Sequence, residues 1–401
     1  IGMDLAAIQS ELRARGFAGW LFYDHHHRDP IAYRILGLDE NAMVTRRWYY
    51  LVPADGAPRK LVHRIEAGVL DRLPGETTAY ARWQEREDTL RALLGGLGAA
   101  ARLAMQYSPE CALPPISLAD AGTIEQLRGW GCQIASSGDL ISRFDAAWTP
   151  AMLASHHAAG SRVQEAIAGA FAHVRQQLDS GAALNEFGLQ QWLVATMRGS
   201  GLAVEEPPIV GVNAHAGDPH YMPPAQGSSP IAAGDLLLLD VWAKMDAPAS
   251  CYYDVTWMGY VLRPDETDVP MRFAQVFAAV RGARDRGIAL VLEAASAGRQ
   301  LCGYEVDRAV RAVIEAAGLG AYFVHRTGHS LGREVHATGA NLDDFETHDV
   351  RELVTHAGFT IEPGVYCPQG EPFGVRSEVN MYLGERGAEV TGPQQQEIVR
   401  V

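Results

Sequence analysis

The sequence predicts an α+β protein with two domains, of which the second consists of two similar halves. Its 401 residues are too many for one typical hydrophobic core, so two domains are expected. Pro150 stands just before a long helical pattern, which indicates domains at residues 3–147 and 151–401. One stretch of the second domain returns in similar form 117 residues later, which indicates an internal duplication.

Composition and charge exclude several classes of function. The chain is 47% hydrophobic and 20% charged, as is usual for globular domains. The formal net charge of -14, without a cluster of Lys and Arg, argues against nucleic-acid binding. No apolar stretch reaches the roughly 18 residues that a membrane-spanning helix needs, so no membrane partner is expected.

The cysteines indicate a reducing environment. All five are scattered, and none forms a CxxC pair, which favours a cytoplasmic location over a disulfide framework or a structural zinc site. The first residues lack a basic region followed by an apolar core, so no secretory signal is expected. Ile1 and Gly2, which precede Met3, are interpreted as a cloning remnant.

The first domain alternates helical and strand patterns, as an α/β domain does. A helical pattern from Asp4 is followed by the short apolar runs "GWLFYD", "RRWYYLVP" and "RLAMQY", which predict strands. The segment "DHHHRDP" from Asp24 is predicted to be an exposed loop, because three consecutive histidines point in different directions on any regular element. "GGLGAA" from Gly95 lacks the third glycine of a dinucleotide-binding loop and is predicted to be a helix end.

The second domain contains a near-repeat at an offset of 117 residues. "GAALNEFGLQQWLVATMRGSGL" from Gly181 aligns without gaps with "GRQLCGYEVDRAVRAVIEAAGL" from Gly298, and both are typical of amphipathic helices. After each helix comes a histidine, and then two strand-like segments that each carry a carboxylate. We expect a pseudo-twofold arrangement that brings the two pairs of carboxylates together. The residues are His220, Asp240 and Asp254 in the first half and His336, Glu362 and Glu378 in the second.

Four carboxylates in apolar strand contexts require a compensating charge. Desolvating a carboxylate is costly, and close like charges repel by about 4 kcal/mol per pair at an effective dielectric constant of about 20. Two divalent cations would cancel four negative charges, and His329, in the loop "GHSLGREVH", would add a nitrogen ligand. The alternative is that each acid is paired with its own arginine or lies at a strand edge.

The ligand set indicates a hydrolytic metal centre. One imidazole and four carboxylates suit Mn, Co, Zn or Fe(II). Two such ions about 3.5 to 4 Å apart can share a bridging water and lower its pKa to near neutrality. Hydrolysis of an amide or ester is therefore the predicted reaction class, with His220 and His336 facing the substrate carbonyl.

Five motifs in order resemble those of the pita-bread metallopeptidases, in the proline-directed branch of Xaa-Pro dipeptidase (prolidase) and aminopeptidase P. They are "PHY", "LLLLDVW…YYDVT", "HRTGHSLGREVH", "TIEPGVY" and "GVRSEV". The resemblance covers residues 151–401 and implies a pita-bread fold there. In the first domain it covers only the layout, which is similar to a creatinase-type N-terminal α/β domain. It implies a dinuclear metallo-exopeptidase that uses a hydroxide bridging two ions, and a homodimer.

The resemblance implies a role for each matching ligand. Asp240 and Asp254 would hold one ion, and His329 and Glu362 the other. Asp254 and Glu378 would bridge the two ions. Glu362 would also be the proton shuttle between the attacking water and the prolyl nitrogen.

The resemblance also assigns residues that face the substrate. His220 and His336 would assist at the tetrahedral intermediate, and His325 and Arg376 would line the substrate site. The alternative for Arg376 is a salt bridge that orients Glu378, and the two roles are compatible.

The sequence departs from the family pattern around the second aspartate. The two aspartates lie 14 residues apart, more than is usual in the family, so the turn containing "KMDAPAS" is predicted to be longer. Cys251 and Trp257 stand where the family usually has Tyr and Arg. Tyr252 and Tyr253 are candidates to replace the missing hydroxyl, but strand alternation allows only one of them to face the site.

Prolidase activity on dipeptides is preferred over aminopeptidase P activity on longer peptides, because the chain is fairly short and has one modest N-terminal domain. A binding protein that keeps the fold without activity is the further alternative, and it is disfavoured because all five ligands are present.

Overall fold

Two units make up the chain, Ile1–Asp145 and Ala146–Val401. They are described from a computed structural model, which describes residues 3–98 and 101–401. Ile1 and Gly2, and the last two residues of the helix end predicted from Gly95, lie outside the described residues. The assignment of residues 3–147 to a creatinase-type domain stays a prediction.

The first unit contains a six-stranded mixed sheet with the order β4-β3-β2-β1-β5-β6. Its strands are β1 Gly19–Asp24, β2 Trp48–Pro53, β3 Arg59–His63, β4 Glu76–Tyr80, β5 Arg102–Met105 and β6 Gln133–Ser136. Its helices are α1 Leu5–Ala14, α2 Pro30–Leu36, α3 Trp83–Gly95, α4 Ala121–Gly129 and α5 Gly138–Phe144.

Strand β1 is buried along its whole length because hydrophobic clusters cover both faces of this sheet. Trp20 and Phe22 belong to one cluster, and Leu21 and Tyr23 belong to the other. Burial on both faces explains why the strand is a continuous apolar run rather than an alternating one. The predicted loop from Asp24 follows β1, and its residues at 26–28 are exposed.

The second unit consists of four helices and three sheets among the described residues. The helices are α6 Pro150–Asp179, α7 Glu186–Gly199, α8 Met271–Ser296 and α9 Gly303–Ala316. The strands of the first half are β7 Leu202–Ala203, β8 Ile209–Val212, β9 Leu236–Met245 and β10 Tyr253–Tyr260. The remaining strands are β11 Ser330–Leu331, β12 Ala357–Ile361, β13 Gly364–Cys367, β14 Phe373–Arg376, β15 Val379–Gly384, β16 Gly387–Val390 and β17 Val399–Arg400.

The predicted internal repeat is present in the second unit. Helices α7 and α9 are both 14 residues long, and their bounds differ by the predicted 117 residues. Each packs against the long helix before it, α6 or α8. Each is followed by antiparallel strands: β8, β9 and β10 in the first half, and β11, β12 and β15 in the second. Since β10 contacts β15, the two halves meet along these strands.

The four leucines before Asp240 point alternately into two hydrophobic clusters. Leu237 and Leu239 pack with residues of α6 and α7, whereas Leu236 and Leu238 pack with residues of α8 and α9. Strand β9 is therefore buried on both faces, and Asp240 belongs to the second face. Among the described residues, no helix combines the length and apolar character needed to cross a bilayer.

Candidate metal centre and active site

A cavity of about 590 Å³ in the second unit contains most of the predicted site residues. The predicted residues that line it are His220, Asp240, Asp254, His325, His329, His336, Glu362 and Arg376. Glu378 is buried, and its Oε2 lies 2.8 Å from the hydroxyl of Thr256. The structure thus brings all nine predicted residues into one region.

Asp240 and Asp254 come from neighbouring antiparallel strands. In the ladder Asp240 lies opposite Thr256, and Asp254 lies opposite Trp242. Because side chains alternate along a strand, these four residues share the face that lines the cavity. The extra residues of the predicted longer turn lie at 246–252, outside the ladder, and do not separate the two aspartates.

His329 and Glu362 are connected through one hydroxyl. The peptide N–H of His329 donates to Thr360 Oγ1 at 2.9 Å, and this hydroxyl donates to Glu362 Oε1 at 3.0 Å. A side chain at Gly328 would meet the carbonyl oxygen of Thr360 at 2.1 Å. Glycine is therefore required for the loop to approach β12 closely. As predicted, the segment from Gly328 to His336 is not helical.

Three buried side chains offer ligand atoms within 4.8 Å of one another: Asp254, His329 and Glu378. His329 Nε2 lies 3.5 Å from Asp254 Oδ2 and 3.3 Å from Glu362 Oε1. Asp240 is the fifth predicted ligand, and it shares the hydroxyl of Thr256 with Glu378, at 3.1 and 2.8 Å. The predicted set of one imidazole and four carboxylates is therefore gathered in one place.

Burial and mutual repulsion dominate the electrostatics of this cluster. Burial raises the pKa of Asp240 to about 7, and it also raises the pKa of Asp254. Burial and the charges of the other three acids raise the pKa of Glu378 well above its usual range. Burial also acts to raise the pKa of Glu362, but the charges of His329 and Arg376 outweigh it and lower that pKa.

The cluster fits a bound cation. Glu378 Oε1 is buried and has no hydrogen-bond partner in the described chain. A buried carboxylate oxygen without a partner is costly, and the four carboxylates outnumber the two basic side chains that pair with them, Arg376 and His329. Oxygen donors with one nitrogen are the ligands of Mn, Zn or Co. The donor set therefore fits divalent metal ions.

Arg376 forms an ion pair with Asp240 rather than with Glu378. Its Nε donates to Thr256 Oγ1 at 2.8 Å, and another nitrogen donates to the hydroxyl of Tyr366 at 3.3 Å. The sequence-based alternative of a salt bridge to Glu378 is corrected to one with Asp240. The guanidinium therefore orients Asp240 while lining the cavity.

His325 lines the cavity, but both of its ring nitrogens have protein partners. Nδ1 lies 2.7 Å from the carbonyl oxygen of Arg326, so it must carry the proton. Nε2 is then an acceptor, and the hydroxyl of Tyr366 donates to it at 2.8 Å. Burial lowers the pKa of His325 to about 4, which keeps the ring neutral at pH 7. Tyr366 therefore connects His325 with Arg376.

His220 and His336 are exposed at the cavity wall. The ring of His336 lies 4.3 Å from the ring of His329, centroid to centroid, in an edge-on arrangement. The backbone N–H of His220 donates to Asp218 Oδ1 at 3.0 Å. Both imidazoles are thus open to a ligand in the cavity, at the edge of the buried acidic cluster.

Glu186, at the start of α7, supports the segment that carries His220. Its buried carboxylate accepts hydrogen bonds from the N–H of Val212 at 2.8 Å and the hydroxyl of Tyr221 at 2.7 Å. Its Oε1 lies 2.8 Å from Nδ1 of His215, and the ring of His215 stacks on Tyr221. One carboxylate therefore fixes the segment on both sides of His220.

Asp307, on α9, supports the segment that carries His325. Its buried carboxylate accepts hydrogen bonds from the N–H and the hydroxyl of Thr327, at 3.0 and 2.6 Å. It also pairs with Arg311, which donates to the carbonyl oxygens of Phe323 and His325. The sequence reasoning did not identify Glu186 or Asp307, because their partners are distant in sequence.

The positions that depart from the family pattern do not face the cavity. Tyr253 and Trp257 pack with the hydrophobic cluster on the opposite face of the sheet. The hydroxyl of Tyr252 donates to Glu205 at 2.6 Å, and Cys251 is buried beside Tyr252. Neither tyrosine is among the residues that line the cavity, so neither supplies the missing hydroxyl there.

Comparison with known proteins gives a family match over most of the second unit. The model of metallopeptidase family M24 matches residues 155–385. A Mycobacterium tuberculosis protein named "Probable dipeptidase PepE" is 31% identical over 185 residues, which are 45% of this chain and 42% of that protein. The matches to the first two curated relatives cover 47% and 42% of their lengths, so the chain matches less than half of each.

Solved structures match the fold over nearly the whole chain. A prolidase from Thermococcus sibiricus is 19% identical with a TM-score of 0.62, and the match covers 99% of this chain and 98% of that one. An X-prolyl aminopeptidase from Caenorhabditis elegans, described as cytosolic with a di-nuclear active site, is 17% identical with a TM-score of 0.65. That match covers 98% of this chain and 62% of the other. The predicted pita-bread fold is confirmed.

Proposed function

The chain belongs to metallopeptidase family M24, and on that premise we propose that it is an Xaa-Pro dipeptidase, or prolidase. The observation that carries this proposal is the buried cluster of Asp254, His329 and Glu378 within 4.8 Å, with one Glu378 oxygen unpartnered in the described chain. Asp240 and Glu362 beside it complete a donor set for two divalent ions, Mn, Zn or Co.

The five predicted ligands would hold two ions between them. Asp240 and Asp254 would serve one ion, His329 and Glu362 would serve the other, and Asp254 and Glu378 would be shared by both. When bound, the ions lower the pKa of a water and polarise the substrate carbonyl, which makes amide hydrolysis possible at neutral pH.

The chain's own groups move the proton and stabilise the developing charge. Glu362, whose pKa lies below its usual value despite burial, is ionised and accepts a proton from the attacking water. It delivers this proton to the prolyl nitrogen as the carbon–nitrogen bond breaks. His220 and His336, exposed at the cavity wall, donate hydrogen bonds to the carbonyl oxygen as its negative charge grows.

His325 and Arg376 form the substrate-facing wall in this proposal. The hydrogen bonds from Arg376 to Tyr366 and from Tyr366 to His325 keep that wall rigid. A rigid wall beside the reacting carbonyl holds the substrate in a productive geometry.

A hydrolysis assay tests this function directly. Purified protein is stripped of metal, supplied with Mn²⁺, Zn²⁺ or Co²⁺, and given Ala-Pro or the tripeptide Ala-Pro-Ala. We expect metal-dependent release of proline from Ala-Pro, and loss of that activity with a chelator. Faster cleavage of the tripeptide would favour aminopeptidase P. No turnover of either peptide by folded protein with any ion would favour an inactive binding protein.

Two further expectations from the sequence remain proposals. The family resemblance supports a homodimer, and sedimentation of the purified chain would measure the mass. The absence of paired cysteines supports a cytoplasmic location.

A further inference from the structure

Strand β10 pairs with β9 along one edge, and its other edge faces the second half of the unit. In an antiparallel ladder, alternate residues turn their peptide groups away from the partner strand. Asp254 and Met258 are four residues apart, so both turn their peptide groups toward the same edge. Two side-chain amides from the second half, those of Asn380 and Gln395, bond these peptide groups. Of the two bonded residues, only Asp254 is a predicted metal ligand.

The amide of Asn380 bonds both backbone polar groups of Asp254. Its Oδ1 accepts from the N–H of Asp254 at 3.0 Å, and its Nδ2 donates to the carbonyl oxygen of Asp254. An amide side chain both donates and accepts, whereas an ionised carboxylate only accepts. Asn380 is 1% exposed, so these bonds are shielded from water. A side chain that is 126 residues away in sequence therefore fixes the backbone of Asp254.

Asn380 lies on the strand that positions the predicted ligands of the second half. In the ladder of β12 and β15 it is opposite Thr360, whose hydroxyl bonds the N–H of His329 and the carboxylate of Glu362. It comes two residues after Glu378, so the two side chains share a strand face. Asn380 thus connects a ligand of the first half with the frame that carries three ligands of the second.

The separation of Asp254 and Glu378 requires such a connection. Their carboxylates offer ligand atoms within 4.8 Å of each other, and two negative charges at that distance repel. The two acids come from different halves of the unit, and in the metal-free protein their charges act to push them apart. A backbone that is bonded to the strand of Glu378 opposes this repulsion.

We propose that Asn380 is a positioning residue that holds Asp254 beside Glu378 and so preforms the site for two divalent ions. It is not among the residues that line the cavity, so it acts through Asp254 rather than by touching an ion or the substrate. Groups that orient metal ligands in this way typically change metal affinity by about 10- to 100-fold. This inference rests on the metal centre of the proposed function.

The test is a calorimetric titration of Mn²⁺ into metal-free Asn380→Leu, which has a side chain of similar size without donor or acceptor. Gln395→Met is the matched control. Gln395 is 3% exposed and bonds the N–H of Met258 at 2.9 Å and its carbonyl oxygen at 2.6 Å, but Met258 is not a predicted ligand. Urea denaturation of each metal-free protein measures the stability that each substitution removes.

We expect Asn380→Leu to lower the affinity for both Mn²⁺ ions by about 10- to 100-fold, because Asp254 is the ligand proposed to be shared by them. Gln395→Met should bind Mn²⁺ as tightly as the unmodified protein. Both variants should unfold at lower urea concentration, since each leaves a buried peptide group without its partner. If Asn380→Leu does not fold, Asn380→Ser, which also removes the amide, should show the loss of Mn²⁺ affinity.

Unchanged Mn²⁺ affinity in a folded Asn380 variant would overturn the proposal. An equal loss of affinity in Gln395→Met would also overturn it, because general stability rather than the position of Asp254 would then set the affinity. An unmodified, folded protein that binds neither Mn²⁺, Zn²⁺ nor Co²⁺ would instead refute the proposed metal centre itself, so the two failures are distinguishable.

Discussion

At the residue scale, two histidines near the metal cluster have different surroundings and different expected roles. His329 is buried between Asp254 and Glu362, whereas His336 is exposed at the cavity wall with its ring 4.3 Å from that of His329. The buried ring suits a metal ligand, and the exposed ring suits a contact with the substrate.

We therefore predict that His336→Ala lowers kcat on Ala-Pro by about 10²- to 10³-fold, as for loss of one donor to a developing oxyanion. Metal content, measured by elemental analysis, should not change. The control is His157→Ala, since His157 is exposed on α6 outside the cavity wall. A loss of bound metal in His336→Ala would contradict the assignment and make His336 a ligand.

The hydroxyl residues of the site show what sequence reasoning overlooked. Thr256 lies two residues after Asp254, and Thr360 lies two residues before Glu362, so each shares a strand face with an acid. This two-residue spacing could have identified both threonines as residues of the site. Tyr366 could not have been assigned a partner from the sequence, because its contact with His325 crosses 41 residues.

At the element scale, the repeat helices α7 and α9 each place a buried acid under a loop of the site. Glu186 holds the segment of His220, and Asp307 holds the segment of His325. The helical pattern predicted both helices, because their apolar positions recur at helical spacing. The pattern did not predict these contacts, because the sequence of a helix does not distinguish an acidic side chain that is buried from one that is solvated.

We predict that Asp307→Asn lowers the free energy of unfolding by about 1 to 3 kcal/mol, because buried hydrogen bonds to Thr327 and Arg311 lose their charged acceptor. Urea denaturation measures this change. The same variant should lower kcat/KM on Ala-Pro, since the loop of His325 loses its support.

The control for this prediction is Glu315→Gln, an exposed acid on the same helix, which should change stability by less than about 0.5 kcal/mol. Equal stability of Asp307→Asn and the unmodified protein would show that the Asp307 carboxylate does not support the loop.

At the scale of the whole second unit, His156 joins segments that are far apart in sequence. Its Nδ1 lies 2.6 Å from the carbonyl oxygen of Tyr252, and its Nε2 lies 2.7 Å from the hydroxyl of Thr391. Burial lowers the pKa of His156 to about 4. In the unfolded chain a histidine has a pKa of about 6.5. As the pH falls, His156 is therefore protonated in the unfolded state at a higher pH than in the folded state.

We therefore predict that stability falls between about pH 6.5 and pH 4, with His156 contributing about 3 kcal/mol of the loss. From about one pH unit above 6.5 the ring is neutral in both states, and it then contributes no pH dependence. Denaturant unfolding at several pH values measures the slope. His156→Gln should be less stable at pH 7 and show a shallower slope, whereas the exposed His157→Gln should match the unmodified protein. Identical slopes for all three would refute the prediction.

The arrangement of the second unit could be predicted where it follows from a local sequence pattern that occurs twice. The offset of 117 residues locates both α7 and α9, and the order of acids and histidines predicts that they converge. Finer features depend on packing across the halves, such as the pairing of Arg376 with Asp240 rather than Glu378. Distances between segments that are far apart in sequence are set by tertiary contacts, and these contacts cannot be predicted from local sequence patterns.

The central claim is that four buried carboxylates and one histidine converge because they bind two divalent cations. Titration calorimetry of Mn²⁺ into metal-free protein, beside folded Asp254→Ala, tests it most directly. The account predicts two ions per chain in the unmodified protein and loss of both in the variant, because Asp254 is the ligand proposed to be shared by the two ions. Two ions still bound in Asp254→Ala, or none bound in the unmodified folded protein, would contradict it.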